Sequence, residues 1–277
     1  MDLDGHEDFD GGLQEHGAPL LGEEGATAKL CSAPKHGIGA VEYVGVISVL
    51  KDYTPEEKCK ACVEDGLAAV MPAVSDWAAI VEGALAVAKA RVQAAGEPRV
   101  LSNCQALAVA LYTYDLGAAS ASGGGDNFFA AFNDVLRCRA SERMQALRPY
   151  LYYLMTGLER LPTFAGTVYR GIPEAELDTI RRTYRKTRHV WWSAFTSTST
   201  SVALAKQFAG KGGVVFRIEV EDGRRISEYS HFQHEGEVLL NPNTKLCVMS
   251  DLVANEEDGR WYLDMAPVPP EAEDIKF

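Results

Sequence analysis

Between residues 54 and 161 apolar side chains recur every three or four positions, the interval that gathers them on one face of a helix. The clearest stretch is "SERMQALRPYLYYLMTGLERL". There Met144, Leu147, Leu151, Leu154, Leu158 and Leu161 form one stripe, and Pro149 predicts a kink or break within it. "SDWAAIVEGALAVAKARVQAAG" is Ala-rich and closes on a glycine, as helices often do. Ser102 to Gln105 fits a capping box ahead of "ALAVALYTY". "GAASASGGGDN" between these segments reads as a loop.

After Pro162 the pattern shortens. "GTVYRG", "HVWWSAFTS", "GGVVFRIEV", "EGEVLL" and "KLCVMSDLV" are rich in β-branched and aromatic residues and are bounded by Gly, Asn or Pro, so each predicts a strand. "NPN" at 241–243 predicts the turn between two of them. "STSVALAKQF" predicts a short helix capped by Ser199, Thr200 or Ser201. Helices first and strands afterwards predict an α+β fold, with a helical segment packed on a mostly antiparallel sheet. The expected layout is a flexible arm at 1–40, one domain at 41–268 and an acidic tail at 269–277. That domain divides into a helical lobe at about 54–161 and a β-rich core at about 162–268.

Charge changes this picture only at the ends. The chain of 277 residues has a formal net charge of −12. Residues 1–30 hold eight acids and one base, and residues 251–277 hold eight acids and two bases. The remaining 23 acids and 24 bases leave residues 31–250 close to neutral, which gives no footing for nucleic-acid binding. "RRTYRKTRH" at 181–189 is a local exception, readable as a solvated face or as an anion-binding patch. No run of eighteen apolar residues predicts a membrane span. "MDLDGHEDFDGGLQEHG" lacks the features of a secretory signal, and "PVPPEAEDIKF" lacks a lipid-anchor tail, so a cytoplasmic protein is expected, plausibly monomeric. Of six cysteines only Cys59 and Cys62 are close, in "CKAC", with no second pair to complete a zinc ribbon. All six are expected to be reduced thiols.

Three stretches carry candidate chemistry. Glu235 and Glu237 in "HEGEVLL" are two apart, which in a strand sets both carboxylates on one face. Arg170 ends "TVYRG" ahead of Gly171, where a missing Cβ lets backbone approach a ligand. Thr196 to Ser201 are six hydroxyl residues in a row, more than a helix cap uses. His231, His234, Glu235 and Glu237 are all of metal-ligand type, but their density suits no single tetrahedral ion and no metal is expected.

In order along the chain, "VYRGI", "FTSTS" and "EGEVLL" strongly resemble the motifs of the mono-ADP-ribosyltransferases, in particular the Arg–Ser–Glu class that includes cholera-like toxins and vertebrate arginine-specific enzymes. Looser similarity runs through "ALYTYD", "FNDVLR" and "LPTFAGTVYRG", so the resemblance covers roughly residues 100–250. It implies a split β-sandwich, NAD as co-substrate and transfer of ADP-ribose to arginine of a protein acceptor. By position it implies that Arg170 holds the NAD phosphates and the Gly171 backbone takes the nicotinamide amide. Ser197 would orient the catalytic Glu237, with Thr198 and Ser199 at the pocket floor. Phe208 would stack on nicotinamide, Asn133 would line the pocket, and Glu235 would engage the acceptor. A Glu rather than Gln at position 235 implies arginine. An NAD glycohydrolase and a non-catalytic interaction module are the alternatives. The glycine between the two acids departs from relatives, which usually carry a larger residue there.

Overall fold

The structure is a computed structural model that describes residues 49–51, 53, 59–74, 76–96, 98–114, 128–138 and 141–268. The acidic arm, the acidic tail, the loop at 117–127 and the Cys59 and Cys62 side chains lie outside the described part.

Six helices precede the first strand among the described residues: α1 (Cys59–Val70), α2 (Trp77–Ala94), α3 (Asn103–Tyr112), α4 (Phe128–Cys138), α5 (Ser141–Ala146) and α6 (Arg148–Arg160). The predicted capping box closes α3: Gln105 N donates to Ser102 Oγ, and Ser102 N donates to Gln105 Oε1. Residues 105–112 of α3 are all buried, and α2 and α6 both pack on it. Pro149 acts as predicted. It separates α5 from α6 by sitting in the first turn of α6, where its missing N–H costs no helical bond. The Met144–Leu161 stripe is buried throughout. Tyr150 on α6 donates to the Ala108 carbonyl on α3 at 3.1 Å, which pairs a buried hydroxyl that would otherwise be costly to desolvate.

The strands are β1 (Thr163–Ile172), β2 (His189–Trp192), β3 (Thr196–Ser199), β4 (Val214–Arg225), β5 (Glu237–Leu240), β6 (Thr244–Val248), β7 (Val253–Asn255) and β8 (Arg260–Pro267). Two short helices interrupt them, α7 (Leu177–Thr183) and α8 (Val202–Ala209). The strand order is β1-β3-β5-β4-β8-β6-β2, with β7 on β8 and a further β1–β4 pairing. All pairings are antiparallel except β4–β8. β4 is long enough to pair with β1 over most of its length and still reach β5 at Arg224 and Arg225. The helix-then-strand order and the mostly antiparallel sheet are as expected.

Alternation on β4 sorts the core. Phe216, Ile218 and Val220 join a cluster with Val168, Ile172, Ile180, Tyr184, Trp192 and Leu263. Between them Arg217 points outward and makes a two-pronged ion pair with Asp264 at 2.8 and 2.7 Å. A second, larger cluster unites the helices with Phe195, Ile226 and Leu239.

Three expectations are corrected. "HVWWSAFTS" is two strands, because the chain leaves β6 at Trp192 and enters a different part of the sheet at Thr196. "KLCVMSDLV" likewise divides into β6 and β7, and β8, which the sequence reading omitted, lies centrally beside β4. Cys104 is disulfide-bonded rather than a free thiol, its partner lying outside the described side chains, while Cys138 and Cys247 are free. Pairing depends on which sulfurs the fold brings within reach, and spacing along the chain does not supply that.

Candidate active site

β3 lies between β1 and β5, and this brings the three motifs together. The registers are Tyr169↔Ser199 on one side, and Ser197↔Leu239 and Ser199↔Glu237 on the other. Directly opposed residues share a face, so Ser197 and Glu237 are diagonal neighbours on one face of the β3–β5 pair. Both are 1% exposed, and Arg170 is 4% exposed. Arg170 Nη1 donates to the Ser197 carbonyl at 2.6 Å, a charge-assisted bond from one motif to the next.

Glu235 reaches the site differently from the expectation. It ends a 3₁₀ turn, Gln233–Glu235, and Gly236 is left-handed at φ 55 and ψ 40. β5 begins only at Glu237, so the strand rule that put both carboxylates on one face does not apply. Both glutamates are nevertheless buried. A Cβ on Gly236 would lie 2.6 Å from Thr200 Oγ1, so the glycine answers both a backbone and a packing demand.

The hydroxyl run is largely a set of ties. Thr198 Oγ1 donates to the Val238 carbonyl at 2.6 Å, and Ser199 Oγ donates to the Glu235 carbonyl at 2.6 Å. Thr200 N donates to the Gly236 carbonyl at 3.2 Å. Ser201 Oγ accepts from Leu204 N at 3.2 Å and is the cap of α8. Thr198 and Ser199, expected at a pocket floor, thus direct their hydroxyls at the strand and turn that carry the glutamates.

Gly171 stands under α8. A Cβ there would lie 2.1 Å from the Ala205 carbonyl oxygen and 2.9 Å from Phe208 Cβ. The space over this glycine is filled by the helix, and the same contact sets Phe208, 7% exposed, beside the end of β1.

Asn133 comes from α4, across the helical layer. Its Nδ2 donates to the Tyr112 hydroxyl at 3.3 Å, and its buried Oδ1 has no hydrogen-bond partner among the described residues. Tyr112 itself was missed by the sequence reading, although it lies inside the quoted "ALYTYD". Burial pushes its phenol up to about 12; hydrogen bonding from Asn133 and Ser197 pulls it down, the Glu237 charge raises it and the Arg170 charge lowers it. Ser197 Oγ approaches this phenol without meeting full hydrogen-bond geometry. Tyr112 therefore marks the point where the helical layer meets all three motifs. No pattern signal distinguishes it from an ordinary apolar-stripe residue.

His231 packs edge-on to Tyr114 with centroids 5.2 Å apart, and burial, followed by the Arg91 charge, lowers its pKa. No group of three or more His, Cys, Asp or Glu side chains gathers as a metal site among the described residues. In the basic segment, Arg181 stacks over Trp261 at 4.5 Å and lies 3.6 Å from Asp178. No helix among the described residues is long and apolar enough to cross a membrane.

Comparison with known proteins gives this geometry a context. Residues 58–266 match the sequence profile of the ART family, NAD:arginine ADP-ribosyltransferase. A protein of Mycobacterium avium (strain 104), named as a candidate NAD(+)–arginine ADP-ribosyltransferase, Mav, is 35% identical over 112 residues. That match spans 40% of this chain and 13% of the mycobacterial protein. Among solved structures, the type III effector XopAI of Xanthomonas axonopodis pv. citri superposes with a TM-score of 0.56 at 17% identity. The superposition covers 81% of this chain and 95% of that one. The ADP-ribosyltransferase HopU1 of Pseudomonas syringae pv. Tomato DC3000 gives 0.55 at 20% identity, over 78% and 99% of the two chains. The eucaryotic mono-ADP-ribosyltransferase ART2.2 gives 0.50 at 18% identity, over 88% and 94%. At these identities the structural likenesses speak for the fold.

Proposed function

The chain belongs to the NAD:arginine ADP-ribosyltransferase family, and from that premise we propose that it transfers ADP-ribose from NAD to an arginine side chain of a protein acceptor, releasing nicotinamide. The observation that carries this reading is the meeting of Arg170, Ser197 and Glu237 on adjacent strands, all nearly fully buried.

In this reading Arg170 faces the NAD phosphates with a planar, always-charged fork. Phe208 stacks on nicotinamide, the Gly171 backbone meets its amide, and Asn133 Oδ1 accepts a hydrogen bond from the ligand. When the bond between ribose C1′ and the nicotinamide nitrogen breaks, its electron pair leaves with nicotinamide and positive charge builds on the sugar. Glu237, hydrogen-bonded to the ribose and held by Ser197, stabilises that charge more than it stabilises the ground state. A guanidine nitrogen of the acceptor then bonds to C1′, and Glu235 takes the proton it loses. Thr198 and Ser199 contribute by fixing the strand and turn that carry the two glutamates.

The test uses labelled NAD with agmatine as an arginine-like acceptor. Wild type should release nicotinamide and modify agmatine, and Glu237→Gln should lose both while keeping a native circular dichroism spectrum. Glu235→Gln should lose agmatine modification and keep some NAD cleavage. Full activity in Glu237→Gln would overturn the proposal. Nicotinamide release that never modifies agmatine or a protein arginine would make water the acceptor instead.

A further inference from the structure

We propose that the outer edge of β2, with the basic turn that leads into it, docks an acidic, extended segment of a partner protein, which adds to the sheet as one more strand. The inference goes beyond ADP-ribose transfer and does not depend on it. β2 ends the strand order, at the opposite end from β1, β3 and β5, so a segment bound there leaves the three motifs open.

The phase of the hydrogen bonds fixes what that edge offers. Val248 N donates to the Arg188 carbonyl at 2.9 Å, and Met249 N donates to the Asp264 carbonyl at 2.8 Å. Alternate residues of β6 thus bond opposite ways, Leu246 and Val248 toward β2 and Cys247 toward β8. His189↔Cys247 and Trp191↔Lys245 are then the β2–β6 pairs that exchange no bonds, and the backbone N–H and C=O of His189 and Trp191 point outward. No backbone partner meets them among the described residues. An edge in this state is a template for another strand. Its side chains suit contact as well. Trp191 is 40% exposed, whereas Val190 and Trp192 on the other face are buried. His189 packs edge-on to Trp191, with centroids 6.4 Å apart.

The turn before β2 supplies the charge. Arg185, Lys186 and Arg188 are exposed and have no ion-pair partner among the described residues. Arg181, by contrast, is engaged by Trp261 and Asp178. No Asp or Glu occurs between Asp178 and Glu219, so nothing nearby along the chain offsets these cations. The turn is also fixed in place. Thr187 is left-handed at φ 67, Thr187 N donates to the Val248 carbonyl at 2.7 Å, and Arg188 N donates to the Arg185 carbonyl at 2.9 Å. An acidic peptide is the occupant that uses both features. Nucleic acid or anionic lipid would answer the charge but has no amide backbone to continue the ladder. A second copy would bring the same cations to the edge, on a chain that shares the net charge of −12.

The probe is a fluorescein-labelled peptide of alternating Glu and Val, titrated with the full chain at low salt and read by anisotropy. Wild type should bind it and should not bind the same peptide with Lys in place of Glu. Arg185→Glu, Lys186→Glu and Arg188→Glu combined should weaken binding by ~10-fold while keeping a native circular dichroism spectrum, and the difference should shrink as salt is added. N-methylation of alternate peptide amides separates the ladder from the charge. In one phase it should abolish binding, and in the other, where the amides face away from β2, it should not. No binding by wild type would overturn the proposal, as would equal binding of the two methylated peptides. A thymidine oligonucleotide that binds as tightly as the peptide would overturn it too. Peptide binding seen only after Glu271→Gln, Glu273→Gln and Asp274→Asn would make the chain's own acidic tail the occupant. A dimer that the charge-reversal variant dissociates would make a second copy the occupant, and either result would overturn the partner assignment.

Discussion

Arg170 on β1 holds the backbone of Ser197 on β3 through a 2.6 Å bond from Nη1 to the carbonyl oxygen. A side chain expected to serve a ligand is thus also part of the frame that places the neighbouring motif. Its two functions cannot be separated by charge alone, since the bond depends on the reach and plane of the guanidinium.

Arg170→Lys should therefore hurt both stability and NAD use. Loss of a buried bond to a charged donor costs about 2 kcal/mol. Urea unfolding should show that loss, and KM for NAD should rise by ~10-fold, which corresponds to about 1.4 kcal/mol. A lysine variant with wild-type stability would show that the Ser197 carbonyl does not depend on the guanidinium.

Gly171→Ala tests the packing under α8. With the Ala205 carbonyl oxygen 2.1 Å from the added Cβ, the helix must move, and overpacking of this kind costs about 1–3 kcal/mol. Because α8 carries Phe208, NAD binding should weaken together with the thermal midpoint. Calorimetry and a titration of NAD on the same preparation would check both.

Gly236→Ala should separate the two glutamates. The left-handed backbone costs a residue with a Cβ about 1–2 kcal/mol, and Thr200 Oγ1 is in the way. Glu237 is anchored in β5, whereas Glu235 depends on the turn. Agmatine modification should fall more than NAD cleavage, and equal losses would argue against separate duties for the two acids.

Ser199→Ala and Thr198→Val form a matched pair. Thr198→Val removes one buried hydroxyl bond, and Ser199→Ala removes two, because Ser199 Oγ also accepts from Ser201 N at 2.9 Å; each is worth about 1 kcal/mol. Ser199 ties the Glu235 turn, so its loss should also reduce agmatine modification. Thr198 ties only the Val238 carbonyl, and its loss should register mainly in the urea midpoint.

Alkaline pH should unfold the protein early. Tyr112 has its phenol pushed up from 10.0 to about 12 in the fold, and Tyr150 is also raised well above its ordinary value by burial. The unfolded chain releases these protons first, so the contribution is complete below pH 10 and is lost as pH rises through 10 toward about 12. Tyrosine absorbance and circular dichroism should change together in that range, and titration of Tyr112 without unfolding would contradict its burial.

Much of this arrangement was legible along the chain because it is local. The stripe from Met144 to Leu161, the break at Pro149, the Ser102 capping box and the turn at 241–243 follow from side-chain spacing and backbone preference. The three motifs were visible as motifs, and their order pointed to NAD chemistry.

The rest depended on which segments meet. Strand register decided that Ser199 faces Glu237, and a left-handed Gly236 decided how Glu235 enters, replacing the alternation that two-residue spacing suggested. The sequence shows six adjacent hydroxyls, but only contacts with β5 and its turn assign Thr198 and Ser199 to carbonyls and Ser201 to a cap. Tyr112 looks like any other residue of a buried helix until Asn133 and Ser197 arrive beside it from positions 21 and 85 residues further along. Spacing along one element determines which face a side chain takes, whereas the close approach of two elements is set by the packing of the whole core.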